Sequence, residues 1–304
     1  MQPGTGQKSI NIGIALAILA TLIWSGNFVV ARAVHKQIPP ISLGFYRWLT
    51  ASILIFPLAL KKFHQEKKLI RQNLIYFFWT ALWGMALFNS FIYIAGHYSS
   101  AINLALIGTT ASPIFSFLLA AIFLKENISW LRILGLCICI AGILVLISSG
   151  SLEKLFSFHF SRGDWYVLAG AFCFAVYNIL VKKKPVSIDP LNFLLVTFVL
   201  GTLLLFPAWI WERHHSASVV WTANLLWVIL YLGAGTSVIS YYCWNMSISR
   251  LGAARTALFG NLIPIFSSIE AVWILGEELT LVLIVSLTLV ITGLIIANIQ
   301  KKRN

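Results

Sequence analysis

Apolar residues run through this chain in long blocks separated by short polar or basic connections. Ten charge-poor blocks lie at about 11–31, 41–60, 74–95, 101–124, 131–149, 164–181, 190–210, 221–244, 254–275 and 280–299. A bilayer core of about 30 Å needs roughly 20 apolar residues per helix, so each block predicts one crossing. The blocks are continuously apolar rather than alternating, and they are too long for membrane strands. A helix also satisfies its own backbone groups in lipid. The predicted fold class is an all-α polytopic membrane protein with ten transmembrane helices. No small-residue cleavage site follows the first block, so that helix is expected to stay in the mature chain.

Composition sharpens this picture. Of 304 residues, 59% are apolar and only 10% charged, against roughly 25% charged in soluble domains. The mean hydropathy is +0.88. The 22 Lys and Arg against 9 Asp and Glu give +13, a balance that in a soluble protein would suggest nucleic acid. Placing the charges removes that reading. With the N-terminus inside, sixteen basic residues fall on inner connections, five (Arg32, Lys36, Lys154, Arg162, Arg213) fall outside, and Arg47 lies within a span. Around the first helix alone the bias runs weakly the other way, so the orientation rests on the later loops. The run from Lys61 to Arg71 and the triplet Lys182 to Lys184 then face the inner leaflet, where anionic lipid attracts them. Membrane lipid is therefore an expected partner and nucleic acid is not. The expected location is the inner (plasma) membrane, multi-pass, with both termini cytoplasmic. Lys301-Lys302 also matches a dilysine retrieval signal, which matters only in a eukaryotic cell.

Cys137, Cys139, Cys173 and Cys243 all lie within spans and read as small packing residues rather than disulfide partners. Cys137 and Cys139 point about 200° apart on a helix, so they do not converge on a metal. The histidines are scattered. No metal site and no cofactor are expected.

Sliding the chain by 151 residues aligns it with itself without gaps. Between 101–144 and 252–295, eleven of 44 positions are identical, among them Pro113/Pro264, Ser116/Ser267, Glu126/Glu277 and Gly142/Gly293. The same offset pairs Asn27 with Asn178, Pro39 with Pro190 and Gly84 with Gly235. Matched Leu and Ile arise easily between apolar helices; matched Pro, Gly, Asn and Glu do not. The chain is thus read as two repeats, 1–150 and 151–304. Five spans per repeat is an odd number, so the second repeat enters the membrane from the opposite side. Inverted repeats of this kind suit alternating access.

The chain resembles the EamA family of the drug/metabolite transporter superfamily over nearly its whole length. The resemblance rests on Trp24-Ser25-Gly26-Asn27-Phe28, Tyr46-Arg47-Trp48, the tract Ala101 to Glu126 with Pro113 and the ending Phe123-Leu124-Lys125-Glu126. Its counterpart is Gly252 to Glu277, with Pro264 and Leu275-Gly276-Glu277. The resemblance implies a central cavity bounded by the first, third, fourth, sixth, eighth and ninth spans. It also implies a small metabolite, often an amino acid or related solute, commonly exported.

Ionisable groups inside a span cost about 2.5–3.5 kcal/mol at the helix centre and are functional candidates by default. Arg47 and Glu270 both sit about 10 Å below the outer surface, and their repeat partners are Phe198 and Leu119. A charge that breaks the repeat fits an asymmetric substrate or a coupling ion. Glu270 could receive a substrate ammonium or exchange a proton; the alternative is a structural pair with Arg47 or contact with outer water. For Arg47, holding carbonyls or interfacial phosphate competes with substrate contact. Trp24, Asn27, Trp83, Tyr93, Thr110, Tyr177, Asn178, Tyr241 and Asn261 complete the candidate substrate contacts, with interhelical packing as the alternative for each. Trp83 and Tyr93 fall on one stripe of the third span together with Trp79, Ala86 and Ser90, and Tyr241 shares a stripe with Ser237 and Trp244. Pro113 and Pro264 interrupt matching helices, as hinges or as fixed kinks.

Gly4-Thr5-Gly6-Gln7-Lys8-Ser9 lacks the spacing and preceding strand of a phosphate loop, and neither H-E-x-x-H nor G-x-S-x-G occurs. Enzyme chemistry is not expected, and no catalytic residue is nominated. The sequence reads as a secondary carrier, acting in the direction of export, for an amino acid or similar zwitterion. The alternatives are a facilitative exchanger or importer of another organic metabolite, nucleotide-like or carboxylate, and, from another class, a membrane-embedded enzyme or receptor. Protons are a candidate co-substrate, and no oligomer is required.

Overall fold

A computed structural model describes residues 3–34, 37–98, 101–151, 153, 161–216, 218–275 and 280–299. Among these residues ten long helices follow one another: α1 (Pro3–Val34), α2 (Pro40–Gln72), α3 (74–98), α4 (Ala101–Phe123), α5 (Trp130–Ile147), α6 (Arg162–Lys182), α7 (Pro190–His215), α8 (223–251), α9 (253–275) and α10 (Leu281–Asn298). Eight are long and apolar enough to cross a membrane, and α4 adds the shorter apolar run Thr110–Phe123. α9 is broken by a 3-10 turn, Leu258–Asn261, just ahead of Pro264, which has no N–H for the carbonyl four residues back. α4 stays α-helical through Pro113, so the matched prolines do not produce matched breaks. Of the charged residues placed by sequence, Lys36, Lys154, Glu277, Lys301, Lys302 and Arg303 lie outside the described residues.

Two features depart from the sequence reading. The basic run after the second apolar block is not a loop, because α2 continues to Gln72 and only Asn73 separates it from α3. In addition, α3 and α8 each contain a π-helical segment, Leu82–Leu87 and Leu232–Ile239, at repeat-equivalent positions. The wider turn leaves carbonyl oxygens available to donors on neighbouring helices. Close packing accompanies it: a Cβ on Gly84 would fall 2.2 Å from the Tyr177 ring.

The repeats are related by a two-fold axis, and α5 and α10 cross on it. Cys139 and Val290 are 151 apart and touch, the thiol donating to the Val290 carbonyl at 3.5 Å. Either side of this contact, Gly135 meets Gly293, and Ser286 donates to the Gly142 carbonyl at 2.7 Å. These two contacts exchange under the same offset of 151, which is the signature of a dyad.

The same axis governs α2 and α7, which lie against each other and pin each other's ends. At one membrane face the Glu212 carboxylate near the end of α7 accepts the Ile41 and Ser42 amides at 3.0 and 2.6 Å, and the Ser42 hydroxyl at 2.8 Å. At the other, Glu66 of α2 accepts the Asp189 amide at 3.0 Å and the Asn192 side chain at 2.7 Å. Carboxylates at helix N-termini satisfy orphan N–H groups and oppose the positive end of the dipole. Glu126 does likewise for α9, accepting the Ala253 amide at 3.1 Å across the two halves. It fits because Gly252 takes φ +92° and any Cβ there would lie 2.8 Å from the Glu126 carboxylate.

Gly293→Val should destabilise the bundle by about 1–3 kcal/mol through overpacking, because a Cβ there falls 2.6 Å from the Gly135 carbonyl. Gly96→Ala, where a Cβ meets nothing within 4 Å, should not lower the melting temperature, since alanine is the better helix former. Thermal unfolding of the two variants in detergent checks the contrast.

Candidate functional site

A cavity of about 100 Å³ lies between the halves, walled by α1, α2, α3 and α4 on one side and α6, α8 and α9 on the other. Its lining spans the middle of the bundle, from Ala257 early in α9 to Ile92 and Gly108 nearer the face opposite the N-terminus. On the N-terminal side it ends in an aromatic floor. Trp24 packs on Trp244 at 5.0 Å, on Tyr241 at 5.5 Å and on Phe174 at 5.8 Å between ring centroids. Such offset and edge contacts each stabilise by about 0.5–1.5 kcal/mol beyond area burial. Tyr177 stacks beneath Phe174, and its hydroxyl donates to Asn245 at 2.9 Å.

Arg47 is the electrostatic centre. Its side chain lines the cavity yet is only 2% exposed. Nε donates to the Ser237 hydroxyl at 2.8 Å, Nη1 to Asn89 and to the Tyr93 hydroxyl at 3.0 Å each, and Nη2 to the Thr236 carbonyl at 3.2 Å. The guanidinium also lies 4.9 Å from the Trp48 ring centroid. Every one of these acceptors is neutral, and among the described residues no carboxylate pairs with it. The π segment of α8 matters here, because Thr236 within it accepts both Arg47 and the Trp24 indole, the latter at 2.8 Å. Its counterpart in α3 receives the Trp48 indole on Met85 at 3.1 Å and the Tyr241 hydroxyl on Gly84 at 3.2 Å.

Glu270 does not pair with Arg47; the Ser25 hydroxyl donates to it at 2.5 Å, joining α9 to α1. Two further acceptors lie close by without partners, Asn27 Oδ1 and Asn261 Oδ1. Asn27 lines the cavity, whereas Asn261 is fully buried beside it and spends its amide N–H on the Leu258 carbonyl of the 3-10 turn.

Of the residues nominated from sequence, Trp24, Asn27, Arg47, Pro113 and Tyr241 line the cavity. Tyr93 is one step behind, against Arg47. Tyr177 and Asn178 lie below the floor. Asn178 is fully buried and saturated, donating to Ser116 at 3.2 Å and accepting the Trp244 indole at 2.9 Å. Thr110, Pro264 and Glu270 are not on the wall, although Ser112 and Ile263 near the first two are. Trp83 is turned away and meets Phe172 edge-on at 6.0 Å. Sequence reasoning missed Phe88, Asn89 and Phe174. Asn89 carried a usable signal, since an amide inside an apolar span needs a partner as much as Arg47 does.

Two halves of opposite orientation around a small, mostly apolar cavity with a few converging polar groups define a membrane carrier. The profile of the EamA-like transporter family matches residues 11–148 and 161–299, and the chain belongs to that family. It is 27% identical over 292 residues to the uncharacterized transporter YyaM of Bacillus subtilis, covering 96% of this chain and 94% of that one. A probable amino-acid metabolite efflux pump of Salmonella typhimurium is 26% identical over 294 residues, covering 92% and 93%. A probable terminal-alkyne amino-acid exporter of Streptantibioticus cattleyicolor is 29% identical over 187 residues, 62% and 61%. One crystal structure superposes with a TM-score of 0.76 at 18% identity, over 96% of both chains, and shares the fold. The protein is a multi-pass membrane transporter and not an enzyme.

The equivalent asparagines give a direct test of this geometry. Asn178→Ala leaves the Trp244 indole N–H buried and unpaired, and should lose about 1–3 kcal/mol. Asn27→Ala, which removes an acceptor already without a donor, should lose clearly less. Melting temperatures of the two variants in one detergent decide the comparison.

Proposed function

We propose that this protein is a secondary transporter that exports a small zwitterionic metabolite, an amino acid or a close relative, across the plasma membrane. The observation that carries the reading is the Arg47 charge, buried in the cavity wall with neutral partners only. A substrate carboxylate would complete it with a charge-assisted bond. The unpartnered Asn27 oxygen suits the ammonium group, and the Trp24, Phe174, Tyr241 and Trp244 rings suit an apolar side chain. Amino-acid cargo in the names of two relatives supports the same reading. A cavity of about 100 Å³ lies below the 300–1,000 Å³ of drug-sized sites. That favours a small solute over a nucleotide. A carboxylate without the amine is the second reading, favoured by Arg47 alone.

The sixteen-to-five distribution of basic residues supports cytoplasmic termini, with the cavity then facing outward. Alternating access follows from an asymmetry between equivalent residues. Asn178 binds Ser116 and Trp244, and the repeat equivalents of that trio are Asn27, Ser267 and Tyr93. In this state Asn27 Oδ1 is unpartnered and Tyr93 is held by Arg47. Exchanging the two repeats' conformations would close Asn27 on Ser267 and Tyr93 and release Asn178. Tyr93 would leave Arg47 as it did so, which ties closure of the outer side to the group that holds the carboxylate. Glu270 is the site through which a proton would couple, each charge moved being worth about 2.3 kcal/mol per 100 mV. The cavity lies within one chain, so no oligomer is required.

Purified protein in liposomes should give saturable flux of at least one small neutral amino acid, reduced tenfold or more in Arg47→Gln. Flux no greater than in protein-free liposomes across an amino-acid panel overturns the reading. Glu270→Gln should flatten the dependence of flux on pH; an unchanged profile removes Glu270 from coupling.

A further inference from the structure

A second, larger cleft of about 670 Å³ opens on the N-terminal side, between α2, the α6–α7 connection, α7 and α8. It is separate from the central cavity. α8 turns Tyr241 and Trp244 to the central cavity, while Tyr242, Asn245 and Ser249 face this cleft. We propose that the cleft is an oxyanion site, in which a phosphate group is held by Lys182, Lys184 and the Asn245 amide. The phosphate would come from an anionic phospholipid of the adjoining leaflet or from free phosphate in solution.

The charges in the cleft do not cancel. Glu66 is occupied by the Asp189 amide and the Asn192 side chain. Asp189 is occupied by Lys62, in a salt bridge of 2.5 Å, and by the Leu191 amide at 2.9 Å. Burial pushes the Asp189 carboxyl up, but the Lys62 hydrogen bond, the Leu191 amide and the charges of Lys62 and Lys184 together hold it below the usual range. That acid is therefore committed. Among the described residues Lys182 and Lys184 make no carboxylate contact. Lys182 reaches only the Ile248 and Ser249 carbonyls, at 3.4 and 3.2 Å, and Lys184 only those of Pro185 and Ile188. Burial lowers the pKa of Lys184 despite the nearby acids, so a partner anion would relieve it.

The second, independent observation is Asn245. It is 7% exposed, lines the cleft, and uses Oδ1 to accept the Tyr177 hydroxyl. Its Nδ2 donor has no partner. Asn245 sits six residues before the end of α8, about 9 Å along the helix, at a depth where an unsatisfied donor is strongly disfavoured. An oxyanion seated against Asn245 would satisfy this donor and offset the excess positive charge that Lys182 and Lys184 leave in the cleft. Basic pockets between helices at the membrane face are suited to phosphate headgroups. The inference does not rest on the substrate reading of the central cavity.

The test uses the full-length protein in neutral detergent, followed by thermal unfolding. One arm titrates phosphatidylglycerol against phosphatidylcholine; the other titrates inorganic phosphate against chloride at equal ionic strength. A rise in melting temperature with phosphatidylglycerol alone assigns the site to lipid, and a rise with inorganic phosphate assigns it to the free ion. Either should weaken at least tenfold in apparent affinity in Lys184→Gln and in Asn245→Asp. Lys182→Gln, at an exposed position, serves where Asn245→Asp fails to fold. No rise in either arm, or a rise that persists unchanged in the lysine variants, overturns the proposal.

Discussion

An arginine held inside a membrane, with no counter-charge among the described residues, is the constraint on which the centre of this protein is built. An isolated buried charge is tolerated only when its donors are fully engaged. Arg47 approaches that condition, placing four of its five N–H groups on neutral acceptors drawn from two neighbouring helices. Two are side chains of α3, Asn89 and Tyr93. The others, Ser237 and the Thr236 carbonyl, come from the π segment of α8. Because Trp24 donates to the same carbonyl, the position of the floor and the position of the charge are set by one atom. Four of the five N–H groups are thereby engaged, while the described partners supply no opposite charge.

The repeat supplies everything around that centre that can be symmetrical. The α5/α10 crossing lies on the dyad, and Glu66 and Glu212 perform the same capping task at opposite faces. These contacts join elements that pack on each other across the axis, and each coexists with its symmetry mate. The Asn178 trio does not, because its equivalent is not made at the same time. Whether a contact and its mate coexist thus separates the symmetrical frame from the residues that the proposed exchange would move.

Much of this was legible in the chain. Apolar block length predicted the ten helices, since lipid imposes a minimum span on each. The offset of 151 was visible because Pro, Gly, Asn and Glu are rarely interchangeable inside a membrane. The assignment of faces on α3 failed. Trp79, Trp83, Ala86, Ser90 and Tyr93 form a stripe only if the helix keeps 3.6 residues per turn. A π turn accommodates an extra residue and rotates the downstream side chains by about 100°. The segment 82–87 lies inside that stripe, so Trp83 points to Phe172 while Phe88, Asn89 and Ile92 reach the cavity. The residues of the π segment are ordinary, and only the pairing of Gly84 with Gly235 marked the place. On α8 the nominated Tyr241 lies beyond the π segment, so its local phase with Trp244 held.

The pair Asn27 and Asn178 shows why a repeat should be read twice, once for its shared features and once for its differences. From sequence the two residues are equivalent and invite one role. In this state one is saturated and buried, and the other lines the cavity with an unpartnered oxygen. A static protein would gain nothing from leaving the second unsatisfied. A protein with two states of comparable energy must leave one of them so, because satisfying both would remove the difference that a ligand acts on. Ligand can bias such an equilibrium only by its differential affinity for the two states. In the proposed exchange that difference would fall on Tyr93, the residue that Arg47 holds now and that Asn27 would then require.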